Sequence, residues 1–184
     1  MHVVIIAGGS GERFWPRSTR DRPKQFQPII SDRTMIQETF RRVYPDIPAE
    51  RIHVVAGPRL KDLVLEQLPG LDEPNLIVEP EGRNTAPAIG LAATVIHRSR
   101  GDSIMAVLTS DHLIAPRERF LQALDRASMV ARSGRIVVFG ISPSRPASEY
   151  GYLEVGLENI PGYDFEVYPV VSFREKPSPD QAAE

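Results

Sequence analysis

The chain has no cysteine, a single tryptophan among 184 residues and a net charge of only -2. Without thiols there is neither a disulfide framework nor a thiolate metal site. The near-neutral balance, with a pI near 6.1, supplies no overall basic field. A nucleic-acid groove or an anionic membrane surface is therefore not the expected partner, and cations must act locally. No long apolar segment is present: the Val3–Ala7 run is far too short for export or membrane insertion, and a cytoplasmic chain is expected. Nor does a Gly-Lys pair occur anywhere, which excludes a P-loop ending in Gly-Lys-Ser/Thr.

What is there begins with that same run. Val3-Val4-Ile5-Ile6-Ala7 leads straight into Gly8-Gly9-Ser10-Gly11-Glu12-Arg13, and Pro23-Lys24-Gln25-Phe26 follows a turn later. A strand entering a glycine-rich turn lets backbone N–H groups approach an anion, and Arg13 and Lys24 bring positive charge beside it. This reads as a triphosphate site. It is not the dinucleotide fingerprint, because Gly9-Ser10-Gly11 is followed by Glu12-Arg13-Phe14 and then Pro16 rather than by a helix. The plainer reading is a glycine-rich connection between a strand and a helix.

With 41% hydrophobic and 25% charged residues, the composition fits one ordinary globular domain with a proper core. Short apolar runs at Val3–Ala7, Ile52–Ala56, Leu76–Glu79, Ile104–Leu108 and Ile136–Phe139 have the look of parallel strands buried on both faces. Helical patterns alternate with them. Ile36, Phe40, Val43 and Tyr44 share one face after a capping box of Thr34 and Gln37, and Phe120, Leu124 and Ala127 form another stripe. Leu60–Leu68 and Ala86–Ser99 complete the set, the latter capped by Asn84 or Thr85. The fold class is α/β, a doubly wound, mostly parallel sheet with helices on both faces. Prolines break up Tyr150–Val155 and Val167–Phe173, an added β-rich segment grafted onto the sheet.

Ligands of open parallel sheets collect at the carboxyl ends of the strands. Four polar clusters are expected there: Gly8–Arg13, Glu79–Thr85, Ser110-Asp111-His112 and Gly140–Pro143. Asp111 ends an apolar strand, where a carboxylate can reach magnesium; its alternative is a cap for the next helix. His112 reads as a structural residue, and His2, His53 and His97 show no spacing for a metal or a triad.

Together these blocks carry a resemblance. Gly8–Pro16, Pro23–Phe26, Glu79-Pro80-Glu81-Gly82-Arg83-Asn84-Thr85-Ala86-Pro87-Ala88-Ile89, Ser110–His112 and Phe173-Arg174-Glu175-Lys176-Pro177 resemble, in order, the motifs of mannose-1-phosphate guanylyltransferases. The Glu81–Pro87 block is the most specific to the mannose branch of the sugar nucleotidyltransferases. The resemblance implies a Rossmann-like nucleotide-diphospho-sugar transferase fold and transfer of a guanylyl group from GTP to mannose 1-phosphate. It implies Arg13, Lys24 and Asp111 as catalytic residues, with Mg2+ on Asp111. Ala7, Gly8, Gly9, Gly11, Glu81, Arg83, Asn84 and Thr85 would hold the nucleotide, while Tyr150, Gly151 and Lys176 would meet the sugar phosphate. Trp15 is expected to anchor its loop. A homodimer is the assembly considered, with no nucleic acid or membrane as partner.

Two departures qualify what the resemblance implies. Ser148-Glu149 stand where the family has Thr-Gly before Tyr150-Gly151-Tyr152, which brings a carboxylate toward the sugar side. The family's transferase domain also continues beyond the point matching Glu184, with a second metal-binding Asp and an Asn-Ser-Gly segment for the sugar. Residues 1–184 thus read as one nucleotidyltransferase domain, incomplete at its C-terminal end. The alternatives are a GTP-binding fragment or regulatory relative without turnover, or a nucleotidyltransferase for another sugar 1-phosphate or base.

Overall fold

The computed structural model describes residues 1–9 and 14–183. The chain divides into two compact units, Met1–Arg135 and Ile136–Glu184.

The first unit is built on four parallel strands, β1 (His2–Ile6), β2 (Ile52–Ala56), β3 (Leu76–Val78) and β4 (Met105–Thr109). Their order across the sheet is β3-β2-β1-β4. The chain steps outward from β1 to β3 and then returns to the far side of β1, so the order reverses between β1 and β4. That reversal opens a crevice past the carboxyl ends of these two strands. Val3 pairs with Ile52 on one side and Ala106 on the other, and Ser110 N–H extends the ladder by donating to the Ile6 carbonyl at 3.2 Å.

Strand alternation divides the core between the two faces. Val3, Ile5, Val54 and Leu108 pack with Ile36, Phe40 and Val43 of α1 (Met35–Val43), Val64 of α2 (Lys61–Gln67) and Leu124 of α4 (Arg117–Ala131). Val4, Val55 and Ile77 pack with Ala88, Ala92 and Ile96 of α3 (Thr85–Arg100). Each fully buried Val or Ile contributes on the order of 1.5–3 kcal/mol, which makes the sheet a rigid base for the loops at its end.

Helix ends match the expected signals unevenly. The capping box of α1 is present in both halves, with Gln37 Oε1 accepting from Thr34 N–H at 3.0 Å and the Thr34 side chain accepting from Gln37 N–H, and the Thr34 hydroxyl also donates to Gln67 Oε1 at 2.7 Å. Asn84 occupies the cap position of α3 but makes no side-chain capping bond. Its backbone is at φ 68° and ψ -175°, outside the extended conformation usual for a cap residue.

The second unit corrects two expectations. Ile136–Phe139 is not a strand: no other strand pairs with it among the described residues, and Ile136 is 96% exposed. A β-branched run supplies propensity, but a strand exists only through its partner's hydrogen bonds. The Gly140–Pro143 cluster accordingly follows no strand. The proline-rich remainder forms a sheet of its own rather than an extension of the parallel one, with β5 (Gly151–Val155) and β6 (Val170–Glu175) antiparallel and a short α5 (Pro179–Ala183) after them. Pro169 delays the start of β6 to Val170, although Ile160 N–H still reaches the Val167 carbonyl at 2.7 Å.

Candidate nucleotide-binding site

Past the carboxyl ends of β1 and β4, Lys24 meets Asp111, and Gln25 beside it reaches the turn that follows β1. Ala7-Gly8-Gly9 leaves β1, and Gly9 has φ 100°, a left-handed conformation that a side chain would oppose. The turn is fastened from below by Gln25, whose buried amide donates to the Ala7 carbonyl at 2.8 Å and approaches those of Gly8 and Gly9 at 3.4 and 3.5 Å. In the sequence Gln25 is only one member of a motif. Its role becomes visible once the loop's carbonyls are seen converging on one amide.

Lys24, next to it in a 3-10 turn (Lys24–Phe26), points its Nζ to Asp111 Oδ2 at 3.3 Å. The ammonium also lies 5.0 Å from the centre of the Phe14 ring, a cation–π contact. Asp111 directly follows Ser110 at the end of β4 and is not a helix cap, since α4 starts at Arg117 with Pro116 in the cap position. The Asp111 segment is held by Arg42, a buried residue of α1 whose Nη2 donates to the His112 carbonyl at 2.8 Å and whose guanidinium faces Phe120. Burial lowers the pKa of Arg42, partly offset by Glu38. Arg42 belongs to no motif, and sequence reasoning misses it.

The third cluster enters through Glu79. Its backbone N–H continues the β2 ladder by donating to the Ala56 carbonyl at 3.0 Å, and its carboxylate turns toward the glycines. A Cβ built on Gly8 would meet Glu79 Oε1 at 3.4 Å, and one on Gly82 would meet it at 3.8 Å. Glu79 is 8% exposed, and burial pushes its carboxyl pKa upward. Sequence reasoning assigns Glu79 to the strand and takes Glu81 as the ligand residue. Glu81 pairs with Arg83, whose Nε and Nη2 fork onto Glu81 Oε2 at 2.8 and 2.7 Å on an exposed loop. Asn84 and Thr85 are exposed where α3 begins. Gly11 and Arg13 lie outside the described residues. Trp15 is 78% exposed, so the expectation that it anchors the loop by packing does not hold.

In the second unit, Tyr150, Gly151 and Lys176 come together at one end of the β5–β6 pair. Lys176 N–H donates to the Tyr150 carbonyl at 3.2 Å, and Gly151 stands opposite Glu175. A Cβ on Gly151 would collide with the Phe173 ring, so only glycine fits without displacing that ring. Tyr152 spends its hydroxyl on the Ala147 N–H at 2.9 Å, a structural role. Glu149, the departure from the family pattern, pairs with Arg145 at 2.8 Å, and that hydrogen bond lowers its pKa. Asn84 and Lys176, with φ 68° and 49°, are the two non-glycine residues of positive φ among those described. Such conformations are costly and concentrate at functional positions.

The nucleotidyl transferase family model matches residues 2–184. The chain belongs to the nucleotidyl transferase family. It is 39% identical over 186 residues to mannose-1-phosphate guanylyltransferase of Escherichia coli K12, covering 99% of this chain and 39% of that protein. It is 41% identical over 187 residues to mannose-1-phosphate guanylyltransferase ManC of Salmonella typhimurium, covering 99% and 38%. The chain thus spans about two fifths of the length of these relatives. Among solved structures it is similar to a Thermus thermophilus protein described as a mannose-1-phosphate geranyltransferase, with TM-score 0.88, 32% identity and coverage of 99% of this chain and 52% of that one. A Helicobacter pylori mannose-6-phosphate isomerase superposes with TM-score 0.72 at 26% identity, covering 100% and 64%. Among the described residues, no helix is long and apolar enough to cross a membrane.

Proposed function

We propose that this protein takes part in guanylyl transfer in the cytoplasm, from GTP to mannose 1-phosphate, yielding GDP-mannose and pyrophosphate. The observation that carries the reading is the meeting of Lys24 and Asp111 at 3.3 Å past the carboxyl ends of β1 and β4, beside the Gly8-Gly9 turn. The similarity to proteins named mannose-1-phosphate guanylyltransferases supports it. In this reaction an oxygen of the sugar phosphate attacks the α-phosphorus, and the bond to the bridging oxygen of the leaving pyrophosphate breaks. The attacking oxygen is already ionised at neutral pH, so no general base is needed. Alignment and charge neutralisation carry the rate.

Within that scheme Lys24 and Arg13 offset phosphate charge, and the backbone of Ala7–Gly11 cradles the nucleotide. Glu79, an acceptor-only carboxylate beside Gly8 and Gly82, suits a base edge made of donors, as the N1–H and N2–H2 edge of guanine is. Lys176, with Tyr150 and Gly151, faces the sugar phosphate. Asp111 is a single carboxylate, and no group of three or more His, Cys, Asp or Glu side chains gathers around it among the described residues. That donor set fits Mg2+ held mostly by phosphate oxygens and water rather than by an all-protein cage. When bound, such an ion adds positive charge against the phosphates.

The test is calorimetry of GTP, ATP and GMP with magnesium, followed by a coupled pyrophosphate assay with mannose 1-phosphate. GTP is expected to bind more tightly than ATP, and Glu79→Gln to narrow that preference. Pyrophosphate is expected only when the sugar phosphate is added. Equal affinity for both triphosphates removes the guanine assignment, and faster release with another sugar 1-phosphate removes mannose. GTP binding without pyrophosphate release would identify a binding module instead.

A further inference from the structure

A second cavity lies at the opposite, amino-terminal edge of the parallel sheet, with a volume of about 780 Å³. Its wall is assembled from segments remote in sequence. His2 opens β1, Arg51 ends the 3-10 turn (Ala49–Arg51) before β2, Arg100 ends α3, and Arg132 follows α4. Four parallel strands separate this edge from the Lys24–Asp111 crevice, so the two sites share no residue.

The three guanidiniums are what distinguish the cavity. None of Arg51, Arg100 and Arg132 forms an ion pair with an acid among the described residues, although seven other such pairs are present. Neutralisation of helix dipoles accounts for part of this placement, because cations favour helix C-termini such as those of α3 and α4. It does not account for Arg51, which belongs to neither helix. His2 registers the resulting field: burial lowers its pKa first, and the chain's α-amino group, Arg51 and Arg100 lower it further. Glu50 and Asp102 share the wall, so three guanidiniums stand there against two carboxylates.

We propose that this cavity is a second anion site and that its ligand is a compact diphosphate-bearing metabolite. Arginine forks match phosphate oxygens in pairs, and three of them on separate elements can surround a diphosphate from different sides. A volume of this size lies within the range of small-molecule sites. An extended polyanion such as a nucleic acid is disfavoured, because Glu50 and Asp102 would repel its continued charge while a nucleoside or sugar end can offer them hydroxyl donors.

The histidine rings allow a direct test on the 184-residue chain. His2 lines the cavity, whereas His112 adjoins Asp111 in the other crevice, so their ring proton resonances report the two sites separately. The probes are inorganic pyrophosphate and GDP, titrated without magnesium into wild type and into Lys24→Gln. A saturable shift of His2 that persists in Lys24→Gln is expected with both, and sodium chloride at matched ionic strength should not reproduce it. Tighter binding of GDP assigns the nucleoside a share of the site, and equal binding assigns recognition to the diphosphate alone. Arg51→Gln with Arg132→Gln should weaken the His2 response at least about tenfold, the equivalent of one lost charge-assisted hydrogen bond. Arg51→Lys with Arg132→Lys, which keeps the charge, should recover part of it. A His2 resonance that stays in place while His112 shifts would overturn the proposal, as would a His2 shift unchanged in the folded glutamine variant.

Discussion

Lys24 Nζ stands 3.3 Å from Asp111 Oδ2 while the same ammonium lies over the Phe14 ring. The pair joins the segment after the glycine turn to the end of β4, two parts of the chain 87 positions apart. Asp111 is 41% exposed at its side chain, and water weakens the attraction accordingly. A pair of this kind is worth at most about 1 kcal/mol to stability. Its geometry matters more, because it holds a cation and a carboxylate at the point where the strand order reverses.

Lys24→Met and Asp111→Asn should therefore leave urea unfolding within about 1 kcal/mol of wild type. Binding of GTP with magnesium should fall about tenfold or more in each variant, the loss expected for a charge-assisted contact. Large stability losses with unchanged GTP affinity would make the pair a structural clasp.

Gln25 gives a contrasting expectation. Its amide is buried and donates to the Ala7 carbonyl at 2.8 Å, so Gln25→Ala strands an acceptor inside the protein. The cost should be about 1–3 kcal/mol by urea unfolding. GTP affinity should fall as well, because the Gly8-Gly9 turn loses its fastening. An intact affinity at reduced stability would separate the turn from nucleotide binding.

These two cases also show how far the sequence can be read. Asp111 announces itself as a carboxylate after an apolar run, Lys24 as a cation a turn after the glycine-rich loop, and β1 to β4 through apolar runs that find parallel partners. Gln25, Glu79 and Arg42 are harder to find, because each works through a neighbour distant in sequence: the Ala7 carbonyl, Gly8 in the turn after β1, the His112 carbonyl. Ile136–Phe139 fails for a related reason. Propensity is local, but pairing depends on a second strand, and no local signal says whether one is there.

A pH dependence follows from the histidine pair on β1 and β2. His2 Nδ1 lies 3.0 Å from His53 Nε2, and His53 Nδ1 is buried without a hydrogen-bond partner among the described residues. Burial first, then the charges of His2 and Arg100, lower the His53 pKa from 6.5 to about 4. The unfolded state thus binds more protons between these values, so stability is fully present above about 6.5 and is lost as pH falls toward 4. His2, also lowered, adds to the same slope. Glu79 opposes it, since a raised carboxyl pKa favours the folded state at low pH. The His53 contribution should reach on the order of 2–3 kcal/mol across the window. Urea unfolding measured between about pH 7.5 and 4.5 checks the sign, and His53→Gln should flatten the profile. A wild-type profile that rises toward low pH would contradict this origin.

Asn84 and Lys176 offer the most discriminating pair of substitutions, because each holds a positive φ that glycine would accept freely. If the surrounding fold imposes these conformations for the sake of the side chain, glycine should relieve strain and remove function at once. Asn84→Gly is expected to raise stability by about 1 kcal/mol, net of the entropy glycine adds to the unfolded chain. The same variant should weaken GTP binding, and Asn84→Ala should be less stable than either. Lys176→Gly should likewise keep the Tyr150 backbone bond and the β5–β6 pairing while losing affinity for mannose 1-phosphate. Thermal unfolding and calorimetry on the three variants decide the matter. Glycine variants that gain stability and keep full ligand affinity would show that the strain serves no ligand, and that Asn84 and Lys176 are turn residues.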